Sequence, residues 1–247
     1  MNIFWSIFLG ILQGLTEFIP VSSSGHLVLA QSLIPNFSQP GVLFDVVLHL
    51  ATLIAVFYFF RKTIFGLSRR YLMLLIIGTI PAALVGFFFQ SQLEKMFGAP
   101  KTLGLEFLIT GFLNVMVDRV KTVKKAINPL NAFTIGIGQA IAIIPGISRS
   151  GATIFAGVKL GVDREKAAEF SFLLSIPAIL GANILQLFTH GLGGIQNPSF
   201  YIIGFIFALI SGYLSIGVVY KFLLGNKFKF FGYWCFLIGA IAILFLK

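Results

Sequence analysis

The sequence predicts an all-α integral membrane protein, and three observations lead to this fold class. The chain of 247 residues is 57% hydrophobic and only 11% charged, which is more apolar side chain than one soluble core of this size buries. Its longest apolar runs have about 20 residues, which is the length that a membrane-spanning helix needs. These runs do not alternate between polar and apolar residues, as the strands of a membrane β-barrel do.

Two segments separated by 126 residues carry the same pattern and indicate an internal repeat. They are "GILQGLTEFIPVSSSGHLVLA", which begins at Gly10, and "GIGQAIAIIPGISRSGATIFA", which begins at Gly136. Each predicts an apolar helix, an interruption by Pro, Ser and Gly, and a second short helix. Such interruptions occur in re-entrant or discontinuous membrane helices. We therefore expect a single membrane domain over residues 1–247, with inverted repeats at about 1–95 and 127–222.

Six further segments are apolar and long enough to cross the bilayer as complete helices. They lie near residues 41–60, 70–90, 102–118, 167–189, 199–220 and 229–246. The third of these spans links the two repeats, and the sixth follows the second repeat. If both interrupted segments are re-entrant, three spans separate the repeats. An odd number of crossings inverts the second repeat relative to the first.

The distribution of basic residues agrees with this topology, because fourteen of them fall on one face and three on the other. The larger group comprises Arg61, Lys62, Arg69, Arg70, Arg119, Lys121, Lys124, Lys125, Lys159, Arg164, Lys166, Lys221, Lys227 and Lys229. The smaller group comprises Lys95, Lys101 and Lys247. Basic residues concentrate on the cytoplasmic side of a membrane, so both termini are expected outside. The net charge of +10 reflects this topology, and no nucleic-acid partner is expected.

Inverted hairpins enter the bilayer from opposite faces, so the two interruptions are predicted to meet near its middle. Each interruption precedes a short helix, whose N-terminus attracts anions through its free N–H groups and its dipole. A phosphate-bearing substrate suits two such ends best. The predicted substrate-binding residues are Ser22, Ser24, Gly25, Ser148, Ser150 and Gly151. The serines among them are also ordinary helix caps.

The two repeats differ in the residues that carry charge. The first holds Glu17 and His26 at positions that are apolar in the second, and the second holds Arg149 where the first has Ser23. Charged side chains are costly inside a membrane, so they indicate a functional site. Arg149 can clamp phosphate oxygens, and Glu17 can hold a metal or act as a base. His26 or Ser23 can act as base or nucleophile. The alternative is a purely structural Glu17–Arg149 ion pair.

Four motifs follow one another over nearly the whole chain. They are "QGLTEFIPVSSSGHLVL" from Gln13, "FDVVLHLATLIAVF" from Phe44, "PGISRSGATI" from Pro145 and "EFSFLLSIPAILGA" from Glu169. Together they resemble the undecaprenyl-diphosphatase family, the bacitracin-resistance phosphatases of bacterial plasma membranes. The resemblance implies hydrolysis of a polyprenyl diphosphate lipid to the monophosphate and inorganic phosphate. This reaction recycles the lipid carrier of cell-wall synthesis and confers bacitracin resistance.

The resemblance also implies catalytic residues and a cofactor. The family's acidic residue, serine, histidine and arginine correspond to Glu17, Ser23, His26 and Arg149. A divalent metal, Mg²⁺ or Ca²⁺, is implied, with Glu17 and Gln13 as the expected ligands. Many members carry a second glutamate where this chain has Gln13. An amide can coordinate a metal through its carbonyl, but it cannot serve as a carboxylate base.

The sequence leaves the attacking group open between Ser23, His26 and a water molecule. It also leaves a rival function, a transporter or flippase of a polyprenyl phosphate or another anionic substrate. Inverted repeats with broken helices that meet at the membrane midplane are equally a transport architecture. Release of phosphate distinguishes the two functions, because a transporter moves its substrate without cleaving it.

Overall fold

The computed structural model describes residues 2–35, 37, 43–97, 102–121, 123, 125–190 and 197–245. Within these residues the chain forms helices and no strand, apart from an isolated bridge between Lys125 and Val162. The helices are α1 Ile3–Phe18, α2 Ser23–Leu33, α3 Leu43–Phe59, α4 Arg61–Phe65, α5 Arg69–Phe88, α6 Gln90–Phe97, α7 Leu103–Arg119, α8 Pro129–Ile141, α9 Arg149–Lys159, α10 Arg164–His190, α11 Pro198–Leu224 and α12 Lys229–Phe245. The predicted all-α membrane class is confirmed.

Each of the six predicted spans coincides with one helix: α3, α5, α7, α10, α11 or α12. Among the described residues, α5, α10 and α11 are both apolar enough and long enough to cross a membrane. The other three helices have 17 residues each, a length of about 26 Å, which is at the lower limit for crossing. The span ends at residues 41, 42 and 246 lie outside the described residues, as do Lys101, Lys124 and Lys247.

Both predicted interruptions are present. Helix α1 ends at Phe18 and α2 begins at Ser23, while α8 ends at Ile141 and α9 begins at Arg149. A proline lies inside each break, where it disfavours helical backbone in the preceding residue. Helix α1 packs against α2 and α8 packs against α9, so each pair folds back on itself as a helical hairpin.

The two repeats, which are offset by 126 residues, make equivalent close contacts between helices. A Cβ atom on Gly10 would collide with the carbonyl oxygen of Gly204, and one on Gly136 would collide with that of Gly78. The offset relates Gly10 to Gly136 and Gly78 to Gly204. Helix α1 therefore approaches α11 through the same kind of backbone contact that joins α8 to α5. The direction of each repeat relative to the bilayer stays a prediction.

An aromatic cluster in the core supports the ends of the helices that carry the polar residues. The rings of Phe18 and Phe172 meet edge to face, with centroids 5.7 Å apart, and both side chains are fully buried. Phe18 directly follows Glu17, and Phe172 directly follows Ser171. Large buried rings have little freedom to move in a close-packed interior. This contact therefore fixes the end of α1 against α10.

Candidate active site

A buried ion pair joins the two interrupted segments. The Arg149 side chain, at the first residue of α9, donates from one guanidinium nitrogen to Oε1 of Glu17 at 2.5 Å. Glu17 lies in the last turn of α1, 132 residues earlier in the chain. Only 5% of the Glu17 side chain and 15% of the Arg149 side chain are exposed. The fold therefore brings the predicted carboxylate and guanidinium together in one place.

The second carboxylate oxygen of Glu17 accepts two hydrogen bonds. The Ser23 hydroxyl, at the first residue of α2, donates to Oε2 at 2.7 Å. The amide nitrogen of Gln13, one helical turn before Glu17, donates to the same oxygen at 3.1 Å. A serine hydroxyl that donates to a carboxylate has a base within proton-transfer distance, which is the arrangement of an activated nucleophile.

Arg149 has donors left after it binds Glu17. A second guanidinium nitrogen donates to the backbone carbonyl of Ser171 on α10 at 3.3 Å. The Ser171 hydroxyl lies 2.6 Å from that of Thr153, which donates to the Arg149 carbonyl at 2.7 Å. Since a guanidinium carries five N–H bonds, these two contacts leave three for an anionic ligand.

His49 on α3 contacts Glu17, whereas the sequence alone left His49 open between lining the cavity and lying at the membrane interface. Its Nδ1 lies 2.7 Å from the carbonyl oxygen of Asp45, which only accepts, so Nδ1 carries the proton. Its Nε2 faces Oε2 of Glu17 at 3.6 Å, and 28% of the His49 side chain is exposed. The signal in the sequence is the spacing of Asp45 and His49, one helical turn apart in an otherwise apolar span.

His26 makes its contacts elsewhere. Its Nδ1 lies 2.8 Å from the carbonyl oxygen of Ser22, and its Nε2 accepts a hydrogen bond from the indole of Trp234 on α12 at 3.0 Å. Both ring nitrogens are therefore occupied in a neutral imidazole. No ion-pair contact joins His26 to Glu17 among the described residues. The ring is held between α2 and α12, and the catalytic role expected of His26 stays a prediction.

The predicted substrate-binding serines form two matched helix caps. The Ser22 hydroxyl accepts from the N–H of Gly25, and the Ser148 hydroxyl accepts from the N–H of Gly151. The Ser24 and Ser150 hydroxyls lie 3.4 and 3.3 Å from these capping oxygens, as a second pair at the same offset. The caps leave other N–H groups in the first turn of α2 and of α9 without an intrahelical acceptor.

Ser22 has a backbone conformation that favours glycine. Its φ angle is +69°, in the left-handed region that is costly for a residue with a side chain. The His26 ring donates to the carbonyl of this same residue. His26 therefore stabilises the turn that places Ser23 next to Glu17, and Trp234 fixes the ring from the other side.

Helix α7 connects the two interruptions, a role that the sequence did not predict for this span. The Thr110 hydroxyl donates to the Gly146 carbonyl at 2.8 Å and accepts from the N–H of Ser148 at 2.9 Å. The Asn114 amide nitrogen donates to the Pro20 carbonyl. Both side chains are fully buried. One helix thus satisfies backbone groups of both breaks, and the sequence signal is the four-residue spacing of polar residues along one face of an apolar span.

The oxygens near Glu17 fit a divalent cation only if the substrate supplies further ligands. The Gln13 carbonyl oxygen is buried and without a hydrogen-bond partner, one turn from Glu17. The described residues contain no group of three His, Cys, Asp or Glu that could enclose a metal. Mg²⁺ keeps several waters and binds through one or two protein oxygens together with substrate phosphates, whereas Ca²⁺ takes six to eight oxygens. The donor set therefore suits Mg²⁺ better than Ca²⁺.

A protein-family model provides the assignment that geometry alone does not. The model described as "Bacitracin resistance protein BacA" matches residues 6–241. This chain belongs to the bacitracin resistance protein BacA family. The match includes both interrupted segments, α7 and Trp234, so the residues that form the site all lie within the BacA family region.

Relatives over the full length agree with the BacA family assignment. The undecaprenyl-diphosphatase of Carboxydothermus hydrogenoformans is 41% identical over 255 residues, which cover 98% of this chain and 97% of that protein. The undecaprenyl-diphosphatase of Halothermothrix orenii is 40% identical and covers 99% of this chain and 98% of its own length. Undecaprenyl-diphosphatase 4 of Bacillus thuringiensis is 42% identical, with coverages of 98% and 97%.

Proposed function

We propose that this chain hydrolyses undecaprenyl diphosphate to undecaprenyl phosphate and inorganic phosphate. Its family and its full-length relatives support the reaction. The observation that carries it structurally is the Ser23 hydroxyl, which donates to Glu17 at 2.7 Å while Arg149 holds the other carboxylate oxygen. In this proposal Ser23 is the nucleophile, Glu17 its base and Arg149 the phosphate-binding cation, and hydrogen bonds to Glu17 hold the three together. The reaction recycles the lipid carrier of the cell wall, and bacitracin resistance follows from it.

The diphosphate binds between the N-termini of α2 and α9. The three remaining N–H bonds of Arg149 and the free backbone N–H groups of both first turns bind its non-bridging oxygens. The prenyl tail stays among apolar side chains and lipid, where its burial needs no polar partner. Charge develops on the phosphoryl oxygens and the leaving oxygen during transfer, and donors fixed before the reaction stabilise it at little reorganisation cost.

Ser23 Oγ is the attacking atom in this mechanism. Its proton passes to Glu17 Oε2 as the Oγ–phosphorus bond forms and the bond from the terminal phosphorus to the bridging oxygen breaks. Undecaprenyl phosphate leaves with that oxygen. Water then attacks the phosphoserine, so the serine hydroxyl is restored and inorganic phosphate is released. The 2.7 Å contact favours Ser23 over a water molecule as the first nucleophile, because the base already holds its proton.

His49 and His26 have different roles here. His49 presents its Nε2 towards Glu17 Oε2 at 3.6 Å, and its partial exposure allows contact with water. It accepts a proton from the water that attacks the phosphoserine, or from Glu17 after the first step. His26 is a positioning residue that holds the Ser22 carbonyl and thereby orients Ser23.

A Mg²⁺ ion that arrives with the diphosphate would be held by the Gln13 carbonyl oxygen and Glu17. Such an ion supplies neutralisation of the phosphate charge. Gln13 and Glu17 then orient the ion by their fixed positions on one face of α1, one turn apart. The protein is expected as a multi-pass plasma membrane protein with both termini outside, on the strength of its basic-residue distribution.

Phosphate release by purified protein tests this proposal. The protein in detergent is incubated with undecaprenyl diphosphate or farnesyl diphosphate, and inorganic phosphate and the lipid monophosphate are quantified. The proposal predicts equal molar amounts of both products. A protein that moves the lipid across vesicle membranes and releases no phosphate would be a transporter, and the proposal would be wrong.

A further inference from the structure

A cavity lies apart from the Glu17 cluster, and none of the residues of that cluster lines it. Its volume is about 660 Å³, and it lies between the start of α5, the start of α10 and the segment 125–127. The isolated bridge from Lys125 to Val162 and a hydrogen bond from the Lys125 N–H to the Gly161 carbonyl, 3.0 Å long, fix that segment. The cavity is on the face that carries most of the basic residues.

Four of the six charged residues that line this cavity are cations. It contains Lys62, Arg70, Lys125 and Lys166. Of the four, Lys166 donates to Glu169 at 3.0 Å. No carboxylate of the described residues lies within ion-pair distance of the other three. Like charges brought together around one cavity repel, so an anion that enters it gains attraction from all of them.

The two lining carboxylates are already engaged. Asp163 accepts from the N–H of Glu165 at 3.1 Å and so caps the start of α10. Glu169 is paired with Lys166. An anionic ligand can therefore compete with Glu169 for Lys166, while the other cations lose no existing partner when they bind it.

Neutral donors add to the cations. Helices α5 and α10 both begin at the cavity, where Ser68 and Asp163 precede their first residues. The positive ends of two helix dipoles therefore point towards it. Tyr71 also lines the cavity, and its hydroxyl is buried without a hydrogen-bond partner. A buried hydroxyl without a partner is costly, and a ligand oxygen would satisfy it.

We propose that this cavity binds a phosphate group, carried by an anionic phospholipid headgroup or free in solution. Arginine and lysine at a helix-lined basic pocket near the membrane surface are the recognised chemistry for phospholipid headgroups. The site is separate from the proposed hydrolysis, because it depends on Lys62, Arg70 and Lys125 and on none of the residues around Glu17. It would hold the headgroup against the starts of α5 and α10.

Thermal stability of the full chain in detergent tests the proposal. The probes are phosphatidylglycerol, inorganic phosphate and, as the neutral lipid, phosphatidylcholine. A ligand that binds only the folded state raises Tm, by about 5 °C when it is present at about one hundred times its Kd. The triple variant K62Q/R70Q/K125Q should lose this rise while its Tm without ligand stays close to that of the wild type, since it removes exposed side chains.

A matched variant separates the cavity from general surface charge. K121Q/K221Q/K227Q removes the same number of exposed cations from the same face outside the cavity, and it should keep the full rise. A rise with phosphatidylglycerol alone assigns the site to a headgroup, and a rise with phosphate as well assigns it to the phosphate group itself. The proposal is wrong if neither probe raises Tm, if phosphatidylcholine raises it equally, or if both triple variants lose the rise equally.

Discussion

Glu17 and Arg149 form a direct link between the two halves of the fold, with 2.5 Å between Oε1 and the guanidinium nitrogen. Each residue stands at the break of a different helical hairpin, and each has a non-charged counterpart in the other repeat. The pair is buried, so each charge depends on the other for stability. Arg149 and Ser23 both donate to Glu17, one to each of its carboxylate oxygens.

A double substitution separates a structural ion pair from a catalytic one. Glu17→Gln leaves the Arg149 guanidinium buried without its partner and should lower the free energy of unfolding by about 3–5 kcal/mol. Glu17→Gln/Arg149→Gln removes both charges and should recover most of that loss. Phosphate release should stay at background in both variants, because neither has the base. Unfolding is followed in detergent and activity by phosphate quantification.

The structural alternative makes the opposite prediction for the double variant. If the pair only holds the hairpins together, the double variant should regain activity along with stability. Recovery of the wild-type rate in Glu17→Gln/Arg149→Gln would therefore remove Glu17 and Arg149 from the mechanism.

His49→Gln should lower kcat by about 10²–10⁴-fold and leave Tm unchanged, because the side chain is partly exposed and acts in proton transfer. His26→Gln should lower Tm, since it breaks the link between the Ser22 carbonyl and the Trp234 indole. Trp234→Phe is the matched control for that link, because it removes only the indole donor on α12. Steady-state kinetics and thermal unfolding of the three variants distinguish the two histidines.

This comparison tests the roles assigned to His49 and His26. Wild-type kcat in His49→Gln would contradict a role in proton transfer. A stable His26→Gln protein that loses activity, while Trp234→Phe behaves as wild type, would make His26 a catalytic residue.

Two glycines differ in the space that a methyl group would find. Gly10→Ala places a Cβ against the Gly204 carbonyl, so it should lower the free energy of unfolding by about 1–3 kcal/mol. Gly86→Ala on α5 is the control, because no atom beyond its own stretch of helix lies within 4 Å of its Cβ position. It should leave stability unchanged or raise it slightly. Equal unfolding free energies in the two variants would contradict the close contact between α1 and α11.

Substitutions at Gln13 test the expected metal ligand in both directions. Gln13→Glu adds a carboxylate next to Glu17 and should lower the Mg²⁺ concentration for half-maximal activity by about tenfold. Gln13→Met keeps a similar side-chain volume without the carbonyl oxygen, and it should raise the Mg²⁺ concentration for half-maximal activity. A titration of phosphate release with Mg²⁺ after chelation measures both. The same midpoint in wild type and both variants would exclude Gln13 as a ligand.

Hydropathy and the repeat were enough to predict the all-α membrane class, the six spans and both broken segments. They also predicted that the breaks meet, which the contact between Glu17 and Arg149 bears out. The catalytic roles of these residues stay predictions. The repeat was decisive because it revealed where two polar blocks stood in equivalent positions of an apolar chain.

The sequence could not predict which histidine faces Glu17. His26 is near Glu17 along the chain, but the turn at Ser22 directs its ring towards α12. His49 reaches Glu17 because α3 packs on α1. The rotation of α3 about its own axis, which decides the face that it turns to α1, depends on tertiary contacts. The hydrogen bonds by which Thr110 and Asn114 connect the two interruptions were not predicted, for the same reason. Local spacing places residues on a helix face, and only packing decides what the face meets.

Phosphate release from undecaprenyl diphosphate by Ser23→Ala, compared with Ser24→Ala, tests the central claim most directly. The two serines are neighbours in one turn, but only the Ser23 hydroxyl donates to Glu17, while the Ser24 hydroxyl lies near that of Ser22. Loss of the nucleophile should lower the rate by about 10⁴-fold or more, whereas Ser24→Ala should stay within about tenfold of wild type. Rates that fall equally in the two folded variants, or a Ser23→Ala protein as active as wild type, would contradict the mechanism.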